Sequence, residues 1–369
     1  MLDDLEKQGA SNAEKAFAMR NYFDAMARQK ATPVHGYFEL TPLCNLNCKM
    51  CYIHLTEQQM RETGRTLLTG SQWISIMEQA IEAGMIEALL TGGEALSHPD
   101  FDEIYLYLYN HGISPAVNTN ALLMTKERID FFRRYPPRSI QITLYGSDDE
   151  SYEKVTGRRC FSQVMNAIQS ILEADIPVHI GITPSRYMAE NGERLIELVE
   201  SLGISYSINF SLTDPRQETG RSGMEHDLSL DEYVHLFKTK AKLRKKELQP
   251  KPLEDTPLPG GGEKQEVLGL PCAAGSSSFC IGWNGFLRPC VSFIDLGVDL
   301  TEELFIDAWK KMHDATQKYP IPRECIGCAY QPICCPCVIE HSAGAPLGHA
   351  NPAFCKRSRR FVSEGLFEI

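Results

Sequence analysis

Three thiols within eight residues stand out among the side chains that could do chemistry. The stretch Cys44-Asn45-Leu46-Asn47-Cys48-Lys49-Met50-Cys51 spaces its cysteines x3 and then x2. A short loop with that spacing can wrap thiolates around one corner of a cubic iron–sulfur cluster, and thiolates are the ligands such clusters need. Three protein ligands leave one iron of a four-iron cube open, and an open coordination position is where a metal site reacts. Spacing alone also admits a partial zinc site or three buried cysteines. A second group, Thr91-Gly92-Gly93-Glu94, supplies backbone that a ligand can approach closely and a carboxylate able to hold an ammonium.

A second cysteine field follows near the C-terminus: Cys272, Cys280, Cys290, Cys325, Cys328, Cys334, Cys335, Cys337 and Cys355. Within it, Cys325-x2-Cys328-x5-Cys334-x2-Cys337 on its own admits a zinc ribbon. The acidic start Met1-Leu2-Asp3-Asp4 lacks a signal-peptide pattern, so a cytoplasmic location is expected. Disulfides are rare there, and 13 cysteines are best explained by metal or cluster ligation. A net charge of −11 argues against a nucleic-acid-binding surface, and the sequence has no long apolar run to span a membrane. Cys160 stands apart, either as a hydrogen-atom donor or as a small core residue.

These groups need elements to hold them. Strand-like runs fall at Val34–Leu40, Ile86–Leu90, Ser114–Asn118, Ser139–Leu144, Ile176–Ile182 and Ile204–Phe210. Helix-like runs lie between them at Ser71–Ala83, Asp100–Asn110, Thr125–Arg134, Phe161–Ala174 and Gly192–Leu202. Ser71 and Thr125 read as helix starts, and Gly84, Gly112 and Gly203 as helix ends. Such alternation predicts an α/β fold with a parallel sheet, as a partial (β/α)6 TIM-like barrel, with an open doubly wound sheet as the alternative. The three-cysteine loop, Thr91–Glu94, Asn118–Asn120, Thr143–Gly146 and Thr183–Arg186 all follow strands, on the face where barrel enzymes build sites. The expected divisions are a helical segment at 1–33, the barrel at 34–215, a helix and Pro/Gly-rich linker at 216–268, and a cysteine-rich domain at 269–360. Ser229 and Glu232 have capping-box spacing before a helix reaching about Leu248, and Gln249–Gln265 reads as linker.

The cysteine loop after strand one, with Gly92-Gly93-Glu94 after strand two, resembles the radical S-adenosylmethionine (SAM) superfamily. The resemblance implies that Cys44, Cys48 and Cys51 hold a [4Fe–4S] cluster whose fourth iron takes the amine and carboxylate of SAM. It implies that Gly92, Gly93 and Glu94 receive the methionyl ammonium. Asn120 and Thr143 become candidates for ribose or carboxylate contacts, Arg158 a weaker one, and the backbone at Ile182–Pro184 a candidate for adenine. The family usually has an aromatic residue before its third cysteine, where this chain has Met50, with Tyr52 just after.

The C-terminal cysteines are similar to the SPASM domain that follows many such barrels, with Cys272, Gly285 and Cys290 opening the pattern and Cys355 closing it. That likeness implies two auxiliary [4Fe–4S] clusters, one on Cys272, Cys280, Cys290 and Cys337, the other on Cys325, Cys328, Cys334 and Cys355. The family's tight group ends one residue later than here, so Cys335 competes with Cys337. Fully ligated auxiliary clusters imply electron transfer. The resemblance then implies a radical SAM oxidoreductase that matures a ribosomally made peptide or a protein by crosslinking or oxidation. A flavodoxin or ferredoxin would supply electrons, and a separate leader-peptide recognition protein would present the substrate. The alternatives are a small-molecule radical SAM dehydrogenase, a formylglycine-forming sulfatase-maturating enzyme, which Val291-Ser292 after Cys290 disfavours, and a zinc-stapled binding protein.

Overall fold

Strand–helix alternation is the rule in the computed structural model, which describes residues 11–188, 190–209, 212–213, 215–220, 224–249, 267–331, 333–334, 337, 339 and 345–367. Six strands, β1 (His35–Glu39), β2 (Glu87–Thr91), β3 (Ser114–Thr119), β4 (Ser139–Leu144), β5 (Val178–Ile182) and β6 (Tyr206–Ile208), lie side by side in chain order. Each pairs in parallel with the next. Helices α1 (Asn12–Gln29), α2 (Glu57–Glu62), α3 (Gly70–Glu82), α4 (Phe101–Asn110), α5 (Lys126–Arg134), α6 (Asp149–Thr156), α7 (Phe161–Glu173) and α8 (Gly192–Ser201) precede or connect them. This is the expected partial barrel.

The strand residues alternate in a way that decides what each face can do. Phe38, Leu90, Val117, Ile142 and Ile180 are wholly buried and point to one face. There Phe38 meets Trp73 of α3 edge-on, with ring centroids 6.0 Å apart. Because side chains alternate along a strand, the other face carries Glu39, Thr91, Asn118, Gln141, Thr143 and Gly181. The register pairs Glu39 with Thr91, Asn118 with Gln141 and Thr143 with Gly181. The sheet therefore has an oily side against the helices and a polar side left for ligands.

Several helices differ from expectation, α2 among them, since no helix was expected at Glu57–Glu62. Thr69, not Ser71, caps α3, in a capping box closed by Gln72, and α6 occupies a stretch with no helix expected. The predicted helix after Ser229 forms as α9 (Leu230–Leu243), with the capping box at Ser229 and Glu232. It stops short of Leu248 because Lys245 turns left-handed at φ 52°. Gly84, Gly112 and Gly203 do end helices at positive φ. The expected linker lies outside the described residues beyond Gln249, as does Phe210 at the end of the sixth strand run.

The sheet does not end at β1. Strand β7 (Ser278–Ile281) pairs in parallel with β1, placing Cys280 opposite Tyr37, and β8 (Phe286–Arg288) and β9 (Val298–Asp299) continue antiparallel. The result is a nine-stranded sheet joining the barrel to the cysteine-rich segment. Helix α10 (Phe305–Gln317) locks the join. Its Trp309 indole donates to the Ala31 carbonyl at 2.7 Å, and Phe305 packs edge-on against Phe279 at 5.0 Å. Helix α11 (Pro352–Ser363) follows, capped by Asn351. No helix among the described residues is long and apolar enough to cross a membrane.

Candidate active site

The cysteine loop leaves the end of β1 and is pinned from both sides. Asn47 and Lys49 donate their backbone N–H groups to the carbonyls of Thr156 and Val155 at the end of α6, at 3.1 and 3.0 Å. Leu55 closes the loop onto the Pro42 carbonyl at 3.1 Å. Within it, Cys44 Sγ accepts from the Leu46 N–H at 3.4 Å and the Asn120 amide at 3.6 Å, and Cys51 Sγ accepts from the His54 N–H at 3.3 Å. Burial pushes the Cys44 thiol up to about 12, so without a metal it keeps its proton at neutral pH. The phenol of Tyr145, raised first by burial, also feels Cys48, Cys51 and Cys44, and Tyr145 lines the same cavity as the three thiols.

Cys44, Cys48 and Cys51 open into a cavity of about 250 Å³ at the C-terminal ends of the strands, lined also by Gly92, Gly93, Asn118, Asn120, Gln141, Thr143 and Tyr145. The sequence-expected residues Asn120 and Thr143 thus meet the thiols in one cavity, and the buried Met50 lines it too. Asn118 Oδ1 is buried there with no hydrogen-bond partner among the described residues. A buried acceptor with no donor is costly, and a ligand hydroxyl or amine would satisfy it. Three thiols, a vacant amide oxygen and a polar floor fit a thiolate-bound cluster with a polar cosubstrate beside it.

Gly92, Gly93 and Glu94 also have partners within the protein. Gly92 sits at φ 136°, where a Cβ would lie 2.4 Å from the Thr41 carbonyl, and a Cβ on Gly93 would lie 2.3 Å from that of Leu43. The N–H groups of Gly93 and Glu94 face the same segment: Gly93 donates to Thr41 and Glu94 to Leu43, at 2.7 and 3.0 Å. The close approach that demands glycine is made by the chain entering the cysteine loop. Glu94 is wholly buried, and its carboxylate accepts from Thr119 Oγ1 at 2.8 Å, Asn120 N–H at 2.8 Å and Leu96 N–H at 3.1 Å. It acts as a cross-loop fastener. Arg158 lies at the rim, donating to the Asn45 carbonyl at 3.1 Å, and Cys160 packs into the core.

Sequence reading missed a buried ion pair beside this site. Glu39, wholly buried at the end of β1, accepts from Arg216 Nη2 at 2.8 and 2.6 Å and from the Tyr52 phenol at 3.0 Å. A glutamate in the apolar run of a strand was the available signal.

In the second field, Cys325 feels Cys334, Cys355 and Cys328, and Ser358 Oγ donates to Cys334 Sγ at 2.9 Å. Cys272 and Cys290 pack on one small core with Leu270, Ala274 and Phe293, and the buried Cys280 feels Cys290. Cys337 is half-buried, and Cys335 lies outside the described residues. Among the described residues no three Cys, His, Asp or Glu converge tightly enough for a single ion.

Residues 38–202 match the Radical SAM superfamily model. The chain is 24% identical to the AdoMet-dependent heme synthase of Methanosarcina barkeri over 322 residues, 81% of this chain and 89% of that protein. It is 28% identical to the sporulation killing factor maturation protein SkfB of Bacillus subtilis over 172 residues, covering 46% of this chain and only 40% of SkfB. In fold it is similar to Streptococcus suis SuiB solved with S-adenosylmethionine, with a TM-score of 0.68, 17% identity, and coverage of 96% of this chain and 86% of that one. The domain at residues 38–202 is therefore what matches the radical SAM superfamily, whose enzymes use a [4Fe–4S] cluster together with SAM.

Proposed function

We propose that this enzyme uses the radical SAM reaction to oxidise or crosslink a side chain of a peptide or protein. The observation that carries the reading is the meeting of Cys44, Cys48 and Cys51 with Asn118, Asn120 and Thr143 in one cavity on the polar face of the sheet. When bound, the cluster and SAM together supply a 5′-deoxyadenosyl radical able to abstract hydrogen from an unactivated C–H bond. The chain's own residues do the rest. Cys44, Cys48 and Cys51 hold the cluster, and the Leu46 and His54 N–H groups point at Cys44 and Cys51, which favours their thiolates. Asn118, with its vacant amide oxygen, and Thr143 orient SAM, while Tyr145, Met50 and Ile53 wall off water.

Support for a peptide substrate comes from relatives. SkfB is named for maturing sporulation killing factor, and SuiB has been solved bound to its precursor peptide SuiA. In the same reading Cys272, Cys280, Cys290 and Cys337 hold one auxiliary cluster of a SPASM domain at 269–360, and Cys325, Cys328, Cys334 and Cys355 the other. A flavodoxin or ferredoxin reduces the enzyme in the cytoplasm, and a separate protein presents the leader peptide. The match along 89% of a heme synthase favours a second reading, a non-peptide substrate.

The test is anaerobic turnover with reductant, SAM and a precursor-like peptide from the same genome, followed by mass spectrometry. The expected result is 5′-deoxyadenosine with a mass change on the peptide. No 5′-deoxyadenosine from wild type, or undiminished formation by the Cys44→Ala/Cys48→Ala/Cys51→Ala variant, would overturn the site. An unmodified peptide beside a modified porphyrin precursor would select the second reading.

A further inference from the structure

Where the barrel joins the cysteine-rich segment, the polar face of the sheet carries an unbalanced charge. Tyr37 of β1 lies opposite Cys280 of β7, and Cys280 opposite Arg288 of β8. Directly opposed residues share a face, as do residues two apart on one strand. Glu39, Cys280, Gly282 and Arg288 therefore look into the same space. A Cβ on Gly282 would lie 2.7 Å from Arg288 Nη1 and 3.6 Å from Glu39 Oε2, so the bare glycine is what admits the guanidinium.

Arg288 is 7% exposed, and its Nε and Nη1 are buried with no hydrogen-bond partner among the described residues. The nearest buried carboxylate, Glu39, is already taken at both oxygens by Arg216. Asn284 Oδ1, also buried without a partner, borders the same glycine but is neutral. Two buried arginines thus face one buried glutamate. A buried guanidinium left in this state is costly, unless an anion stands beside it. The groups on that side are Cys280, which feels both arginines, and Cys290, which feels Cys280.

We infer that Arg288 is the fixed counter-charge and N–H donor for the auxiliary cluster held by Cys272, Cys280, Cys290 and Cys337, positioning it on the sheet and raising its reduction potential. This rests on the reading of these cysteines as cluster ligands. A cluster wrapped by four thiolates is anionic, and hydrogen bonds to its sulfurs together with net charge set its potential. A guanidinium presents several donors in a rigid plane that cannot be deprotonated. The same polar group reaches the SAM site. Arg216 donates its backbone N–H to the Tyr52 carbonyl at 2.9 Å, the Tyr52 phenol donates to Glu39, and Tyr52 follows Cys51 in the chain. The Glu39–Arg216 pair that borders Arg288 is therefore anchored to the residue next to a ligand of the other cluster.

The experiment uses anaerobically reconstituted full-length protein: wild type, Cys280→Ala, Arg288→Gln and Arg288→Lys, followed by iron analysis and EPR-monitored redox titration. Wild type should show an auxiliary signal that Cys280→Ala loses. Arg288→Gln should keep its iron while the reduced-to-oxidised ratio of that cluster at a set potential falls about tenfold, which is 59 mV for a one-electron couple. Arg288→Lys should recover most of this, and the cluster on Cys44, Cys48 and Cys51 should not move. An unshifted auxiliary potential in Arg288→Gln with its iron retained overturns the inference and leaves the ligand reading standing. If Arg288→Gln sheds the cluster, retention by Arg288→Lys supports the counter-charge, and loss by both overturns it. Identical iron content and spectra in Cys280→Ala and wild type remove the ligand reading and the inference with it.

Discussion

The carboxylate of Glu94 accepts the backbone N–H of Asn120 at 2.8 Å, fastening the loop after β2 to the end of β3. Asn120 in turn donates to Asn45 Oδ1 at 2.6 Å and to Cys44 Sγ. A charge buried in one loop thus sets the position of a group that touches a thiol in another.

Glu94→Gln should be destabilising even though its shape is conserved. One oxygen can still serve Thr119 and Leu96, but the new NH2 faces the Asn120 N–H, donor against donor. A buried donor left unpaired costs about 1–3 kcal/mol. Chemical denaturation of the cluster-free protein measures this, and a variant as stable as wild type would show that the carboxylate is no fastener.

Gly93→Ala should be worse for the metal than for the fold. Its Cβ would press on the Leu43 carbonyl, one residue before Cys44. The expected outcome is a folded protein, judged by circular dichroism, that retains well under half the wild-type iron at the first cluster. Full iron loading would mean that the loop can yield.

Asn118→Ala removes the vacant acceptor from the cavity without breaking any hydrogen bond seen for that oxygen. Stability should hold or rise. SAM affinity, read by calorimetry on reconstituted protein, should fall about 2- to 10-fold, the worth of one net hydrogen bond. Unchanged affinity would take Asn118 out of the SAM site.

Arg216→Met or Glu39→Gln alone should each cost about 3–5 kcal/mol, because either leaves a buried charge uncompensated. The double variant should cost much less than the sum. Urea unfolding of all four proteins gives the coupling, and simple additivity would rule out the pair as a unit.

His35 straps helix α1 to the sheet, with Nε2 3.0 Å from Asp24 Oδ1 and Nδ1 3.2 Å from Glu87 Oε2. The hydrogen bond to Glu87 leads in raising the His35 pKa above 6.5, and the one from His35 leads in lowering Glu87 to about 2. A raised histidine contributes fully below its ordinary pKa and loses that contribution as pH climbs through the raised value. A depressed glutamate contributes above its ordinary 4.5 and loses it as pH falls toward 2. The strap is therefore strongest from roughly pH 4.5 to 6.5. Amide exchange in α1, corrected for intrinsic rate, should show protection falling between pH 5.5 and 8.5, and His35→Gln should flatten the difference.

Much of the site was legible because its signals are local. Cysteine spacing, the Gly-Gly-Glu turn and period-two apolar runs each lie within a few residues, and they located the loop, the strand ends and the polar cavity. Ser71 and Thr69 both carry a hydroxyl able to cap α3, and the Gln72 side chain turning back to Thr69 separates the two. Helix α6 was missed because its apolar positions are few, yet it holds the cysteine loop by two backbone bonds. Glu94 was legible as a carboxylate in the loop after strand two, but its hydrogen bonds from Thr119 and Asn120 were not, because those partners come from the end of the next strand. Arg216 and Arg288 were invisible for the same reason: their significance depends on Glu39 and Cys280, far away along the chain.

The pairing of β7 with β1 has a practical consequence. A chain cut before Ser278 would strip one side of β1 of its partner and bare a row of amide and carbonyl groups, along with the Phe279 side of Phe38. Bare strand edges recruit other chains. The barrel half expressed alone should accumulate as insoluble material, and grafting its metal chemistry onto another scaffold would require carrying this borrowed strand along.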